Sequence, residues 1–131
     1  IQQIEFKLPA MRRGCHLITG EIIRRLPNPL PQSALLGLTI NENADPDVRS
    51  DMDKILDHVV PENEPYYNHV LEGADDMPAH AKSSLVGVSL TIPITNGRLN
   101  LGTWQGIYLC EFRDYGGERL IVLLFIAELR Q

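Results

Sequence analysis

Alternation between apolar and polar side chains predicts β-strands at the start of the chain and again from about residue 86 onward. Residues 4–8, IEFKL, alternate as in a half-buried strand, and so do residues 88–94, VSLTIPI. Asn96 and Gly97 follow as a dipeptide typical of a two-residue hairpin turn. Further strands are predicted at residues 38–41, 105–113 and 119–129, with Gly116 and Gly117 turning the chain back into the last of them.

The clearest helical pattern lies between Asp45 and Pro61. Asp45 is a favourable N-cap, Pro46 suits the first helical position, and Pro61 ends the helix. One face of this helix is apolar, with Val48, Met52, Ile55, Leu56 and Val59. The opposite face is acidic and is expected to be exposed to solvent, with Asp47, Asp51, Asp53 and Asp57.

Two shorter helices complete the predicted elements. Residues 19–26 favour a helix with Thr19 as its cap, and a second helix begins at Asp75 or Asp76 and ends near Gly87. Strands and helices are therefore segregated rather than alternating. We expect an α+β domain of packed, mostly antiparallel sheets, sandwich-like, with two or three flanking helices.

Length, charge and cysteine content narrow the class of protein. The 131 residues correspond to one ordinary domain, residues 1–131, and the net charge of −5 argues against a nucleic-acid partner. The longest apolar run, at 120–127, is too short to span a bilayer, so no membrane partner is expected. Cys15 and Cys110 form no disulfide framework or zinc motif, which favours a cytoplasmic location.

Candidate chemistry is concentrated in residues 69–80, HVLEGADDMPAH, where His69 and His80 flank three carboxylates. Neutral imidazole is the commonest protein ligand of zinc, but a zinc site needs at least three donors. The spacing of this pair matches no short zinc motif. The pattern therefore favours either a metal site whose third ligand is unidentified or two surface histidines.

The same stretch leads into a helix start, where unpaired N–H groups and the positive end of the helix dipole favour anions. Lys82 and Ser83 add further donors within the first turns. Asp75 and Asp76 would repel a bare phosphate. The sequence therefore favours a carboxylate–metal–phosphate arrangement over phosphate binding alone.

Polar candidates continue downstream in a glycine-rich segment. Thr103 and Gln105 flank Trp104, the only tryptophan of the chain. Glu111 and Arg113 are two residues apart on a predicted strand, so their side chains are expected on the same side of it. An arginine beside a carboxylate either holds an anionic substrate or forms a structural ion pair.

Two segments resemble one known family. LTINENADPDVRSDM (residues 38–52) and HVLEGADDMPAHAKSSLVGVSLTIPITNGRLNLGTWQGIYLCEFRDYGGER (residues 69–119) are similar to the YjbQ-like family, also labelled secondary thiamine-phosphate synthase. The resemblance implies packed antiparallel sheets and a cytoplasmic homotrimer with sites near the subunit interfaces. It also implies a weak thiamine-phosphate synthase activity, which joins a pyrimidine diphosphate to a thiazole phosphate and releases pyrophosphate.

The resemblance also implies roles for individual residues. His69 and His80 match the family's histidines and would bind a divalent metal, zinc or magnesium. The other matched positions would serve a small phosphorylated molecule, with Asp75, Asp76, Lys82, Glu111 and Arg113 as catalytic residues and Ser83, Thr103 and Gln105 as ligand-binding residues.

The chain departs from the family pattern just before residue 38. An HTSA-like strand is usual there, whereas residues 31–37 read PQSALLG, with Ser33 where the family has a histidine. The proline-rich connection upstream is shorter than the family's by about ten residues. Because loss of a core strand would remove much of a domain's stability, we expect an incomplete segment rather than a true deletion.

Two functions are consistent with these patterns. One is a metal-assisted enzyme acting on phosphorylated heterocycles, with weak thiamine-phosphate synthase-type activity. The other is a non-catalytic trimeric module that binds a phosphate-bearing metabolite or a metal ion. A third interpretation, in which the trimer itself is the functional unit, rests on Trp104 in its glycine-flanked turn.

Overall fold

Two antiparallel sheets and three helices make up the computed structural model, which describes residues 2–26, 33–36, 39–42 and 44–127. The strands are β1 (Gln2–Leu8), β2 (Gly14–Leu17), β3 (Ser33–Leu36), β4 (Thr39–Glu42), β5 (Ile92–Thr95), β6 (Arg98–Leu99), β7 (Gln105–Glu111) and β8 (Arg119–Ala127). The helices are α1 (Thr19–Ile23), α2 (Pro46–Val59) and α3 (Asp76–Val86).

The larger sheet has five strands in the order β1-β8-β3-β5-β6, and the smaller sheet has three in the order β2-β7-β4. Every pairing is antiparallel. This arrangement confirms the predicted α+β class. One local prediction was wrong, however. The turn at Gly116 and Gly117 does not pair β8 with β7 in a hairpin, because β8 pairs with β1 and β3 of the other sheet.

Side chains from both sheets and from α1 share one hydrophobic core. Its buried members are Leu8, Ile18, Ile22, Leu26, Ile92, Ile94, Ile107, Ile121 and Leu123. The apolar run in β8 is buried on one face only, because Ile121 and Leu123 are buried while Leu120, Val122 and Leu124 are exposed. The second apolar face of β8 is therefore open to solvent in the single chain.

Helix α2 follows its sequence signals closely. The Asp45 carboxylate accepts a hydrogen bond from the Asp47 N–H at 2.9 Å, and Pro46 occupies the first helical position. The prediction for Thr19 was wrong: its Oγ1 does not cap α1 but accepts the Ile107 N–H at 2.8 Å. That bond ties the start of α1 to β7.

The remaining predictions concern turns and the departure from the family pattern. Asn96 and Gly97 have φ of 53° and 74°, which confirms the predicted tight hairpin between β5 and β6. Residues 33–36 form β3 between β5 and β8, so a strand is present where the family motif is altered. Residues 27–32 and 37–38 of the proline-rich connection lie outside the described residues. No helix within the described ranges is long and apolar enough to cross a membrane.

Candidate metal centre and anion cleft

The two histidines of the opening motif converge on Asp76. His69 Nε2 lies 2.6 Å from Asp76 Oδ2, and His80 Nε2 lies 3.3 Å from the same oxygen. One donor atom from each residue lies within 4.8 Å of the others. Two imidazole nitrogens and a carboxylate oxygen form a donor set that suits zinc and similar divalent metals. Asp76 is thus the candidate for the third donor, which the sequence left unidentified.

Local sequence explains why these three side chains meet. Asp76 begins α3 and His80 follows four residues later, so both lie on one face of the helix. His69 approaches from the preceding loop, where Gly73 has a φ of 108°. A Cβ at Gly73 would lie 3.0 Å from Asp75 Oδ1, so glycine suits this turn for both its conformation and its size.

Arg113 orients both aspartates at the start of α3. Its Nη1 lies 2.5 Å from Asp76 Oδ1, its Nε lies 3.1 Å from Asp75 Oδ2, and its Nη2 donates to the Glu72 carbonyl at 3.0 Å. The two oxygens of Asp76 are therefore divided between the guanidinium and the histidines. An outer partner of this kind fixes the orientation of a metal-binding carboxylate.

Glu111 does not share the guanidinium of Arg113 with these carboxylates, although it accepts the Arg113 backbone N–H at 3.2 Å. It is 1% exposed, and its oxygens accept hydrogen bonds from Arg119 Nε at 2.8 Å and Arg119 Nη2 at 2.7 Å. This pair connects the end of β7 to the start of β8, and therefore one sheet to the other. A Cβ on Gly116 would overlap the Glu111 carboxylate, so the close approach of the loop requires glycine.

Burial and neighbouring cations act in opposite directions on the acids of the site. Burial by itself would raise the pKa of Asp76, but the His69 hydrogen bond and the Arg113 charge outweigh it and lower that pKa. The pKa of Asp75 is lowered because the hydrogen bond from the Asp114 N–H and the Arg113 guanidinium outweigh the effect of burial. The pKa of Glu111 is lowered because its hydrogen bonds and ion pair with Arg119 outweigh the effect of burial. All three carboxylates are thus held as anions.

These lowered values predict that the fold loses stability in acid. A carboxyl group whose folded-state pKa is depressed stabilises the fold above its unfolded pKa, here 3.8 for Asp75 and Asp76 and 4.5 for Glu111. We expect the free energy of unfolding to be steady from neutral pH down to these values and to fall as pH drops through the lower folded-state pKa values. Denaturant titrations across this pH range measure the effect.

Arg113→Gln provides the control for the acid titration. Without the guanidinium, the pKa of Asp75 and that of Asp76 should be depressed less, so the loss of stability in acid is expected to be smaller and to be complete at a higher pH than in the unmodified chain. A stability that rises as pH falls, or an identical pH profile in the variant, would contradict this account of the site.

A cleft of about 250 Å³ adjoins the cluster of His69, Asp76 and His80. It is lined by Asp76, Ala79, His80, Ser83, Arg113, Tyr115, Gly116 and Arg119. Two guanidinium groups and a serine hydroxyl provide the donors that a phosphate or pyrophosphate group requires. Arg119 was missed in the sequence analysis, because it is at the start of an apolar strand and is distant in sequence from the histidines.

Lys82, in contrast, lies outside this cleft. The Nζ lies 2.5 Å from Asp57 Oδ1 and 5.8 Å from the centre of the Phe112 ring, and the side chain is 2% exposed. Its structural role is to tie α3 to α2. The expectation that Asp57 simply faces solvent was wrong, because Asp57 is half-buried and also lies 3.8 Å from Arg13.

Thr103 and Gln105 are not brought to the cluster within one chain. Gln105 begins β7 and Glu111 ends it, so the two ends of this extended strand are about 20 Å apart. The Gln105 side chain instead accepts the Gly102 N–H at 2.7 Å. Trp104 beside it is 64% exposed.

A second cleft, of about 520 Å³, has His69 in its lining. Its lining is largely apolar and aromatic, with Val59, Val60, Tyr66, Tyr67, Asn68, His69, Met77 and Ala81. The rings of Tyr66 and Tyr67 meet edge to face with centroids 5.0 Å apart. The donor cluster therefore lies between an aromatic cleft, which His69 lines, and a cationic cleft, which His80 lines.

The fold and the site together define a class: a small α+β domain of two antiparallel sheets, with a candidate two-histidine, one-carboxylate metal site between two clefts. A family model described as UPF0047 protein YjbQ-like matches residues 3–128, and the chain belongs to this family. The resemblance inferred from the sequence motifs is confirmed.

Two relatives extend over nearly the whole chain. The UPF0047 protein YjbQ of Salmonella typhimurium is 51% identical over 126 aligned positions, which cover 88% of this chain and 91% of the relative. The UPF0047 protein YjbQ of Escherichia coli O157:H7 is 46% identical over an alignment that covers 92% of this chain and 94% of the relative. Because 126 positions use only 88% of 131 residues, the Salmonella protein has residues inside the aligned span that this chain lacks.

Solved structures share the fold. A hypothetical protein from Aeropyrum pernix K1 superimposes with a TM-score of 0.82 at 25% identity, covering 98% of this chain and 100% of that chain. An uncharacterised protein of the YjbQ/UPF0047 family from Clostridium acetobutylicum gives a TM-score of 0.77 at 39% identity, with 94% and 99% covered. These matches support the α+β architecture independently of the sequence patterns.

Proposed function

We propose that this protein is a divalent-metal-dependent transferase that acts on phosphorylated heterocycles, with thiamine-phosphate synthase-type activity in the cytoplasm. The observation that carries the proposal is the contact between two features. Asp76 and His80 belong to the donor cluster and also line the cleft that contains Arg113 and Arg119. Metal donors and phosphate donors thus converge on one small volume.

The donor set fits a bound metal. His69, Asp76 and His80 would hold it, and two imidazole nitrogens favour zinc over magnesium, which prefers oxygen ligands. When bound, the metal would supply positive charge that polarises a phosphoryl oxygen. Arg113 would keep Asp76 oriented for this role.

The cationic cleft would bind the pyrophosphate that leaves the pyrimidine diphosphate. A guanidinium has five N–H donors, and Arg119 uses its Nε and Nη2 toward Glu111. Its further N–H groups can therefore reach an anion in the cleft. Ser83, one turn beyond His80 on α3, adds a hydroxyl donor. Preorganised donors of this kind stabilise the charge that develops on a leaving group.

The aromatic cleft would bind the ring of the substrate. Tyr66 is largely exposed there and offers its face to a flat heterocycle, while Met77 and Val59 supply apolar contact. A heterocycle in this cleft and its phosphate in the other would lie on either side of the metal donors. This arrangement would suit the pyrimidine diphosphate, whose ring and pyrophosphate belong to one molecule.

Activity can be measured directly with the two precursors and with Zn²⁺ or Mg²⁺, by quantifying thiamine phosphate and released pyrophosphate. Arg119→Lys keeps the positive charge but loses the planar fork that a pyrophosphate engages. We expect it to lower kcat/KM by roughly ten- to a hundredfold. Arg98→Lys, at the exposed β5–β6 hairpin, is the matched control and should leave the rate unchanged. Absence of product from the metal-loaded unmodified protein would contradict the proposal.

The alternative function is a non-catalytic homotrimeric module that binds a phosphate-bearing metabolite or a metal ion. Large exposed apolar side chains favour self-association, with Leu120, Val122 and Leu124 on β8 and Val88, 85% exposed, beside it. A trimer would also offer Thr103 and Gln105 of one subunit to the cluster of another. A rise in melting temperature with pyrophosphate but no turnover would favour this alternative. Light scattering that gives a monomer would contradict the trimer.

A further inference from the structure

The two cysteines of the chain face each other across the smaller sheet. Cys15 on β2 is the register partner of Cys110 on β7, and their Sγ atoms are 3.9 Å apart. Both thiols are free and half-buried. Neither cysteine lines the cationic cleft or the aromatic cleft, so this feature is independent of the proposed transferase site.

The ladder geometry suits a covalent link. The Ile18 N–H donates to the Ile107 carbonyl at 2.8 Å, which marks that pair as hydrogen-bonded. Because hydrogen-bonded and non-hydrogen-bonded pairs alternate, Cys15 and Cys110, three steps along the ladder, form a non-hydrogen-bonded pair. The Cα atoms of such a pair are about 4.5 Å apart, inside the range that disulfides occupy.

A small cavity gives access to the sulfurs. Its volume is about 80 Å³, and its walls include Met52 and Leu56 of α2 together with both cysteines. A cavity of this size holds only a few molecules as small as water. It therefore has room for a small hydroperoxide such as hydrogen peroxide.

The two thiols differ in acidity. A hydrogen bond from Cys110 lowers the pKa of Cys15 against the opposing effects of burial and of Asp53 on α2. The same hydrogen bond and burial raise the pKa of Cys110. The thiolate is the nucleophilic form of cysteine, so Cys15 is suited to attack an oxidant. Cys110, which keeps its proton, is suited to react afterwards with the oxidised sulfur of Cys15.

We propose that Cys15 and Cys110 form a peroxide-reactive dithiol that closes reversibly to an intramolecular disulfide. The Cys15 thiolate attacks one oxygen of hydrogen peroxide, the O–O bond breaks, and with one proton the products are Cys15 sulfenic acid and water. The Cys110 sulfur then attacks the Cys15 sulfur, and the hydroxyl leaves as water with the Cys110 proton. Two thiols are oxidised by two electrons, which reduce the peroxide to two water molecules.

The test treats the purified full chain with hydrogen peroxide and follows free thiols and intact mass. We expect both thiols to disappear together, with a mass loss of two hydrogen atoms and a single peptide pair linking Cys15 to Cys110. A thiol reductant should restore both. Oxidation to separate sulfinic acids, a disulfide only between chains, or thiols that persist in excess peroxide would each overturn the proposal.

Single substitutions test the order of attack. Cys110→Ser should trap Cys15 as a sulfenic acid that a dimedone probe labels. Cys15→Ser should slow peroxide-dependent loss of the remaining thiol by about tenfold or more. Equal reactivity of the two single variants would overturn the assigned roles, and the linked-peptide measurement on the unmodified chain does not depend on either variant folding.

Discussion

Replacement of His80 with alanine is expected to lower the affinity for Zn²⁺ by about a hundredfold or more, because it removes one of three donors. His80 is exposed, and its ring pairs with the Asp76 carboxylate at 3.3 Å. Its loss should therefore leave the fold intact. Competition against a metal-binding dye measures the affinity, and thermal unfolding of the metal-free protein checks the fold.

Two further variants sharpen this test. Asp76→Asn removes the charge of the carboxylate toward which both histidines point. It is expected to lower the affinity for Zn²⁺ at least as much as His80→Ala does. Asp51→Asn removes an exposed carboxylate on α2 and should leave the affinity unchanged. If all three proteins bind Zn²⁺ equally, the cluster is not the metal site.

Replacement of Glu111 with alanine is expected to destabilise the fold by about 3 kcal/mol, which lowers Tm by about 10 °C. The substitution removes both hydrogen bonds to Arg119, leaves that guanidinium without its carboxylate, and opens a cavity between the sheets. We take the lower end of the range of destabilisation found when one partner of a buried ion pair is removed, because Arg119 is partly exposed. Denaturant unfolding gives the free energy, and calorimetry gives Tm.

Glu118 provides the matched control for this experiment. It lies in the same loop, one residue before Arg119, and is exposed. Glu118→Ala should change the free energy of unfolding by no more than about 0.5 kcal/mol. A comparable loss in the two variants would mean that the Glu111–Arg119 pair does not stabilise the contact between the sheets.

Local signals predicted the elements that depend on neighbouring residues. The cap at Asp45, the proline at position 46 and the Asn96-Gly97 turn each fix backbone geometry over a few residues, and each was confirmed. The fold class followed from the order of these elements. The path of β8 did not, because a glycine pair permits a sharp turn without specifying which strand becomes the partner.

Which residues meet at the candidate site depends on tertiary contacts, and the spacing of residues in the sequence does not reveal these contacts. The motif contained His69, Asp76 and His80, but the spacing gave no reason to choose Asp76 over Asp75 or Glu72 as the third donor. Helical geometry places Asp76 and His80 on one face, and Arg113 then turns the carboxylate toward the histidines. Arg119 joins this site only because β8 crosses to the other sheet.

The edges of the larger sheet bear on the tendency of this protein to aggregate. On one side the described sheet ends in β6, which has only two residues and is too short to template another strand. On the other side β1 is longer, but its outward positions include the charged residues Glu5 and Lys7, both exposed. Such edges discourage fibril-like strand addition, so the open apolar face of β8 can remain on the surface with less risk of uncontrolled polymerisation.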